Sequence, residues 1–145
     1  MSDNLELRPA TEADLDFLWQ LHALTMRPYV EEIWGWDEDW QRQHFYDLVQ
    51  PAAIQLVIVD DERVGSLTIS QQDDAIYINS IEVLPDWQNQ GIGTYLITSI
   101  LEDARTDGFP VALQILKNNP AIHLYKRLGF EVDDETETHY QMVNW

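Results

Sequence analysis

The run Val83-Leu84-Pro85-Asp86-Trp87-Gln88-Asn89-Gln90-Gly91-Ile92-Gly93 is a junction where an apolar strand stops at a proline and a glycine-punctuated loop opens a helix. Junctions of this kind bind anions. Gly91 and Gly93 let the main chain turn tightly and approach a ligand, and the first-turn N–H groups of the following helix lack internal partners. The main-chain amides of Gln88, Asn89, Gln90, Gly91, Ile92, Gly93 and Thr94 are therefore candidates to hold a pyrophosphate. Two other phosphate loops do not fit. Leu96 stands where G-x-G-x-x-G needs its third glycine, and no Lys-Ser or Lys-Thr follows as in a P-loop. About a helix and a strand later comes Asn118-Asn119-Pro120-Ala121-Ile122-His123-Leu124-Tyr125-Lys126-Arg127-Leu128-Gly129-Phe130. Helical spacing puts Tyr125 on one face with Ala121, Leu124 and Leu128, so its ring should be buried and its hydroxyl needs a partner. Asn118 precedes the helix, a place that suits a turn, a cap or a ligand contact.

The spacing Gln88-x-x-Gly91-x-Gly93 resembles the acetyl-CoA pyrophosphate loop of the GNAT N-acetyltransferase superfamily. The later segment looks like that family's second signature, Asn-x-x-Ala-x-x-Leu-Tyr-x-x-x-Gly-Phe, and the two stand in the expected order. These motifs cover 81–94 and 118–130. The resemblance implies an α/β fold of mixed type: a central, mostly antiparallel twisted sheet with one parallel, splayed strand pair, flanked by about four helices. It implies acetyl-CoA as co-substrate, no metal, and direct transfer of the acetyl group to a primary amine through a ternary complex. No cysteine exists to carry the acyl group. By the same resemblance the pantetheine arm lies beside the strand before the loop, pairs with the backbone of Ile81 and Val83, and meets the Val83 N–H at the thioester oxygen. Tyr125 then protonates the departing thiolate, and Asn118 contacts the cofactor. A non-catalytic acyl-CoA-binding regulatory domain of the same fold would carry the same cofactor motifs. Amine-dependent release of CoA separates the two.

Acyl transfer to an amine also needs a neutral nitrogen, hence a base. Glu82, between Ile81 and Val83, is a carboxylate partly withdrawn from water, as a base needs to be. Alternation places it on the face of Ile76, Ile78 and Ser80, opposite Val83, unless a bulge re-aims it. Tyr77 and Asn79 share the other face and could hold a relaying water; Glu31, Glu32 and Asp37 are further candidates. The segment Met26 to Glu38 joins two helices where the GNAT fold places its acceptor wall, and its Tyr29, Glu31, Glu32, Trp34 and Trp36 mix aromatic faces with carboxylates. That mixture suits a cationic amine, small or peptide-borne. The same tryptophans would also serve to cover a core or a dimer contact. His22, His44, His123 and His139 form no metal spacing, and His22 and His44 read as helix-face residues.

The chain of 145 residues suits one domain, 1–145, and its formal charge of -18 disfavours nucleic acid and favours cationic partners. The same acidity also serves solubility or a saline host. The two lysines stand at the second signature, Lys117 directly before it and Lys126 within it beside Arg127, where a polyanionic cofactor should lie. No apolar run approaches the ~20 residues that span a bilayer. Met1 to Glu6 has neither the basic nor the apolar region of a signal peptide, so a cytoplasmic protein, monomer or homodimer, without membrane attachment is expected.

The elements that must position these residues follow from pattern. Leu5 and Leu7 alternate with polar residues as in a strand, and Thr11 reads as the N-cap of a first helix that carries Leu15, Leu18, Trp19 and Leu21 or His22 inward and fades near Pro28. A second helix is expected from about Asp37 to Leu48. The stretches 54–59 and 64–69 flank the turn Asp60-Asp61-Glu62-Arg63, and Ala75 to Val83 gives a third strand of that series. Leu96, Ile97, Ile100, Leu101 and Ala104 follow helical spacing, and Gly108 and Pro110 end that helix before the strand Val111 to Leu116. This crossover makes 75–83 and 111–116 parallel. Asn119 and Pro120 suit the N-cap and first position of a last helix ending before Gly129, and Phe130 to Val132 and Thr138 to Val143 close the sheet as a strand pair.

Overall fold

The computed structural model describes residues 4–145. The expected elements are present: strands β1 (Leu5–Pro9), β2 (Gln55–Val59), β3 (Glu62–Gln72), β4 (Ala75–Val83), β5 (Val111–Leu116), β6 (Glu131–Glu135) and β7 (His139–Asn144), with helices α1 (Leu15–Trp34), α2 (Glu38–Leu48), α3 (Ile92–Asp107) and α4 (Ile122–Arg127). The strands form a mixed, mostly antiparallel sheet in the order β1-β2-β3-β4-β5-β7-β6, and β4 with β5 is its parallel pair. Two compact units divide the chain. The first runs to Thr68 and resumes over Ser80–Gln90; the second comprises Ile69–Asn79 and Gly91–Trp145.

In the first unit β1, β2 and β3 pair antiparallel, with a bulge in β3 at Val64, because Val57 faces Gly65 whereas Ile58 faces Arg63. The acidic turn between β2 and β3 puts Asp60 and Asp61 at positive φ, a conformation that Asp tolerates better than most residues. Ala10, Leu18, Leu56 and Ile58 form the core, with Phe17, Phe45 and Ile54 against them. Each buried side chain of that size contributes about 1.5–3 kcal/mol. Thr11 opens a 3-10 turn, Glu12–Asp14, rather than the helix itself, and α1 begins at Leu15. Asp14 organises this corner. Its buried carboxylate accepts from Thr11 N–H at 2.9 Å, from Arg8 at 3.1 and 3.2 Å and from Arg63 at 3.1 Å. Of these, the Arg8 side-chain bonds do most to pull its pKa down to about 2.

The expected fading of α1 at Pro28 does not occur; the helix runs on to Trp34. A proline within a helix removes one N–H donor and crowds the carbonyl four residues earlier, here Leu24. Leu24 is 55% exposed, so water can serve that carbonyl and the break is avoided. α2 begins as expected, with the Asp37 carboxylate accepting from Trp40 N–H at 3.0 Å.

In the second unit α3 lies against β5 and buries Leu96, Ile97, Ile100, Leu101 and Ala104. β4 pairs with β5 over Ile76–Ile78 against Val111–Leu113, a short ladder for strands of nine and six residues. β7 runs between β5 and β6, antiparallel to both. The last helix is shorter than its pattern suggested and starts at Ile122. Asn119 still caps the entry: its side-chain oxygen accepts from Ala121 N–H at 2.9 Å, while Ile122 and His123 donate three residues back to Asn119 and Pro120 at 3.3 and 3.1 Å. Tight three-residue closure at Pro120 thus replaces the first α-turn.

Candidate functional site

The segment after β4 is stitched to itself before it reaches α3. Pro85–Trp87 forms a 3-10 turn, Trp87 N–H donates to Leu84 at 2.8 Å and Gln88 N–H to Pro85 at 3.3 Å. The Gln88 main-chain amide is therefore engaged within the loop, and its side chain returns to the Val83 carbonyl at 2.9 Å. The Gln90 side chain does likewise with Asp86 at 3.0 Å. Asn89 adopts φ +62° and Gly91 φ +86°, two left-handed residues separated by Gln90. A Cβ at Gly91 would meet nothing within 4 Å, so the glycine is demanded by its backbone angle and leaves open space beside it. α3 starts at Ile92 with no side-chain cap, and among its first residues the Tyr95 N–H is the one that closes onto Gly91 at 2.9 Å. The N–H groups of Ile92, Gly93 and Thr94 thus remain for an anion. Gly93 would bring a Cβ only to ordinary contact, 3.5 Å from Leu124 Cδ2. These features fit a pyrophosphate.

Tyr125 lies in the second unit, on the inner face of α4, 9% exposed and edge-on to Phe130 at 5.5 Å and 75°. Burial pushes its phenol up to about 12. The partner expected for its hydroxyl is not found among the described residues. Asn118 is half-buried in the turn after β5, next to Lys117, whose main-chain N–H donates to Thr138 at 2.9 Å. The Lys117 ammonium pairs with Glu135 at 2.6 Å and lies 5.2 Å from the centre of the Tyr140 ring. Lys126 and Arg127 occupy the last turn of α4, where cations offset the carbonyl end of a helix.

Glu82 lies in the first unit with a side chain 12% exposed, and it meets α1 directly. One oxygen, Oε2, is 2.9 Å from His22 Nδ1 and accepts from Thr25 Oγ1 at 3.2 Å. The one Thr25 hydroxyl hydrogen is shared, since Oγ1 also lies 2.9 Å from the Leu21 carbonyl oxygen. His22, expected as a helix-face residue and as an alternative to Leu21 on the inward side, is the partner of the carboxylate. Its ring stacks on Phe45 at 5.5 Å and 29° and stands 6.3 Å from Trp19. A glycine makes the approach of β3 to this point possible, since a Cβ at Gly65 would collide with the Glu82 carbonyl oxygen. Ile81 and Val83 are half-buried on either side of Glu82. Tyr77 and Asn79 lie in the other unit; Tyr77 is exposed and the Asn79 amide donates to Ser70 Oγ at 3.0 Å.

The aromatic and acidic residues at the end of α1 assemble around a cation of the chain itself. Trp36 stacks on buried Trp19 at 6.2 Å and 20° and donates from its indole N–H to Glu38 at 2.7 Å. The Arg27 guanidinium lies 5.7 Å from the centre of the Trp36 ring and pairs with Glu31 at 2.8 Å. Glu32 and Trp34 are exposed, and Tyr29 is half-buried.

Comparison with known proteins matches this arrangement to one family. The profile of the acetyltransferase (GNAT) family matches residues 16–130. An uncharacterized N-acetyltransferase of Methanocaldococcus jannaschii is 28% identical over 94% of this chain and 65% of its own length. A [ribosomal protein bS18]-alanine N-acetyltransferase of Salmonella typhimurium is 30% identical over 63% of this chain and 64% of its own. A mycothiol acetyltransferase of Thermobifida fusca is 36% identical over 51% of this chain and 23% of its own. The chain thus spans less than two thirds of the length of these curated relatives. Among solved structures, the PaiA N-acetyltransferase of Thermoplasma acidophilum in complex with coenzyme A superimposes with a TM-score of 0.79 at 15% identity, covering 99% of both chains.

Proposed function

The chain belongs to the GNAT acetyltransferase family, and from that premise we propose that it moves an acetyl group from acetyl-CoA directly to a primary amine, small or peptide-borne and cationic. The observation that carries this reading is the turn at Gly91, φ +86° with open space beside it, leading into the uncapped start of α3. Acetyl-CoA is a substrate here. Its pyrophosphate would be held by the main-chain N–H groups of Asn89 to Thr94, with Gln88 stitching the loop to the end of β4. The short ladder of β4 supports an added strand: pantetheine would pair with the backbone of Ile81 and Val83, and the Val83 N–H would meet the thioester oxygen as it gains charge. Asn118 would contact the cofactor.

Tyr125 is the proposed acid for the thiolate, supported by its buried ring and by a hydroxyl without a partner among the described residues. Glu82 is the carboxylate proposed to support deprotonation of the amine, and Tyr77 and Asn79 are placed on the acceptor side in this reading. The proposed acceptor wall is Tyr29, Glu31, Glu32, Trp34 and Trp36. A cation, Arg27, already lies on Trp36 and Glu31, which supports an ammonium as the incoming group and makes the guanidinium its competitor.

The test is thiol release from acetyl-CoA against a panel of polyamines, aminoglycosides, arylalkylamines and peptides with free N-termini. Amine-dependent release that is fastest with cations supports the proposal. Release that ignores the amine would reduce the chain to a cofactor-binding domain, and turnover confined to neutral or anionic acceptors would remove the cationic part alone.

A further inference from the structure

We propose that His22 is the residue that takes the proton from the acceptor amine, with Glu82 as the positioning group behind it. The inference rests on the acetyl-transfer reading and deepens it by naming the base. The residues that make up the proposed base, His22, Glu82, Thr25, Trp19 and Phe45, all lie in the first unit. The Glu82 carboxylate, 12% exposed, receives the imidazole at Nδ1 over 2.9 Å, and the Thr25 hydroxyl fixes the same oxygen at 3.2 Å. A carboxylate accepts only, so the proton of the pair resides on Nδ1 and the neutral ring carries its lone pair on Nε2. No partner for Nε2 is found among the described residues, and the His22 side chain is 32% exposed, so this nitrogen is open to a ligand.

The ring is also held in its plane. Phe45 of α2 stacks on it, Trp19 flanks it along α1, and Thr25 ties the carboxylate to the α1 backbone. The charged group in contact with the imidazole is Glu82, from β4; Thr25 and Trp19 from α1 and Phe45 from α2 do not titrate in the working range. A fixed ring with one nitrogen anchored to a part-buried carboxylate and the other free is the arrangement that positions a general base. Glu82 is less suited to act alone, because the oxygen facing α1 is already bonded to both His22 and Thr25.

The step balances as follows. The amine lone pair forms the new C–N bond at the thioester carbon, an N–H bond breaks with its proton passing to His22 Nε2, and the C–S bond breaks with its electron pair on sulfur. The thiolate takes up one proton in exchange for the one that the imidazolium returns to water.

Two measurements test this. Long-range ¹⁵N NMR of the wild-type protein, without substrate, reports the neutral tautomer of His22. The expected result is Nδ1–H with a bare Nε2, shifting towards a mixture in Glu82→Ala. Kinetics on His22→Gln, which keeps a donor for Glu82, should show kcat lowered about 10²–10⁴-fold with KM for acetyl-CoA unchanged. His22→Ala should be rescued in part by added imidazole, whereas Glu82→Gln, whose carbonyl can still accept Nδ1–H, should lose less than His22→Gln. An Nε2–H tautomer in the wild type, or kcat of His22→Gln within twofold of the parent, overturns the inference. If those results come with amine-dependent thiol release still in place, the acetyltransferase reading survives. If no amine is acetylated at all, both fall together.

Discussion

Replacing Tyr125 with Phe separates the chemistry of the hydroxyl from the packing of the ring. The ring, edge-on to Phe130 at 5.5 Å, is kept, and only the oxygen is lost. Burial raises the phenol from 10 to about 12, so the folded chain favours the neutral form by about two units, or roughly 2.7 kcal/mol. The sign is that of an acid whose folded pKa lies above its unfolded one. The stabilisation is fully present below pH 10, where both states are protonated, and drains away as pH rises from about 10 to about 12. Midway, near pH 11, roughly 1.4 kcal/mol should have gone from the wild type relative to Tyr125→Phe. Urea unfolding of both proteins at pH 8 and pH 11 reads this difference. At pH 8 the variant should be as stable as the parent or more so, because the oxygen removed has no bond to lose among the described residues. In turnover, a phenol near 12 faces a thiol near ~8.5, an uphill transfer of about 5 kcal/mol that is feasible only while the C–S bond is breaking. Tyr125→Phe should therefore slow kcat about 10²–10⁴-fold at unchanged affinity for CoA. Parallel stability curves from pH 8 to pH 11 would refute the burial reasoning. A kcat within twofold of the parent would leave Tyr125 as a core residue.

Gly91→Val should cost about 1–2 kcal/mol of stability from its left-handed backbone alone, since nothing crowds the new side chain, yet lower CoA affinity at least tenfold by calorimetry. Gly93→Ala, meeting Leu124 at ordinary contact distance, should fold normally, so weakened binding there reports the ligand directly. Arg27→Ala should lower KM for the best cationic acceptor severalfold by vacating Trp36 and Glu31, and Glu31→Gln should raise it; the reverse order would place the acceptor elsewhere. Asp14, held near 2 first by the Arg8 bonds, lends stability that is present above pH 4 and is lost as pH falls through 2. Acid unfolding of Asp14→Asn should accordingly be flatter than that of the wild type across this window.

What could be read in advance was whatever a local rule controls. The turn into α3 was legible because Gly91 needs its left-handed angle whatever surrounds it, and the strands and α3 because their periods repeat within a few residues. Pro28 misled because a proline's effect depends on who serves the carbonyl it orphans, and exposure of Leu24 is not a local property. The pairing of His22 with Glu82 was illegible for the same reason. His22 and Glu82 are sixty residues apart, and neither carries a motif. A signal was nonetheless there. A carboxylate inside the apolar run Ile81-Glu82-Val83 is costly unless paired, so its presence demands a donor elsewhere in the chain. His22 and Thr25, three apart and adjoining the inward residues Leu18, Trp19 and Leu21, are polar side chains on the margin of a buried helix face, where a donor of that kind must stand. Matching a misplaced charge in a strand to misplaced polar groups on a helix would have brought the two together, and Gly65, the residue that lets β3 pass the Glu82 carbonyl, shows how closely the backbone was shaped around that meeting.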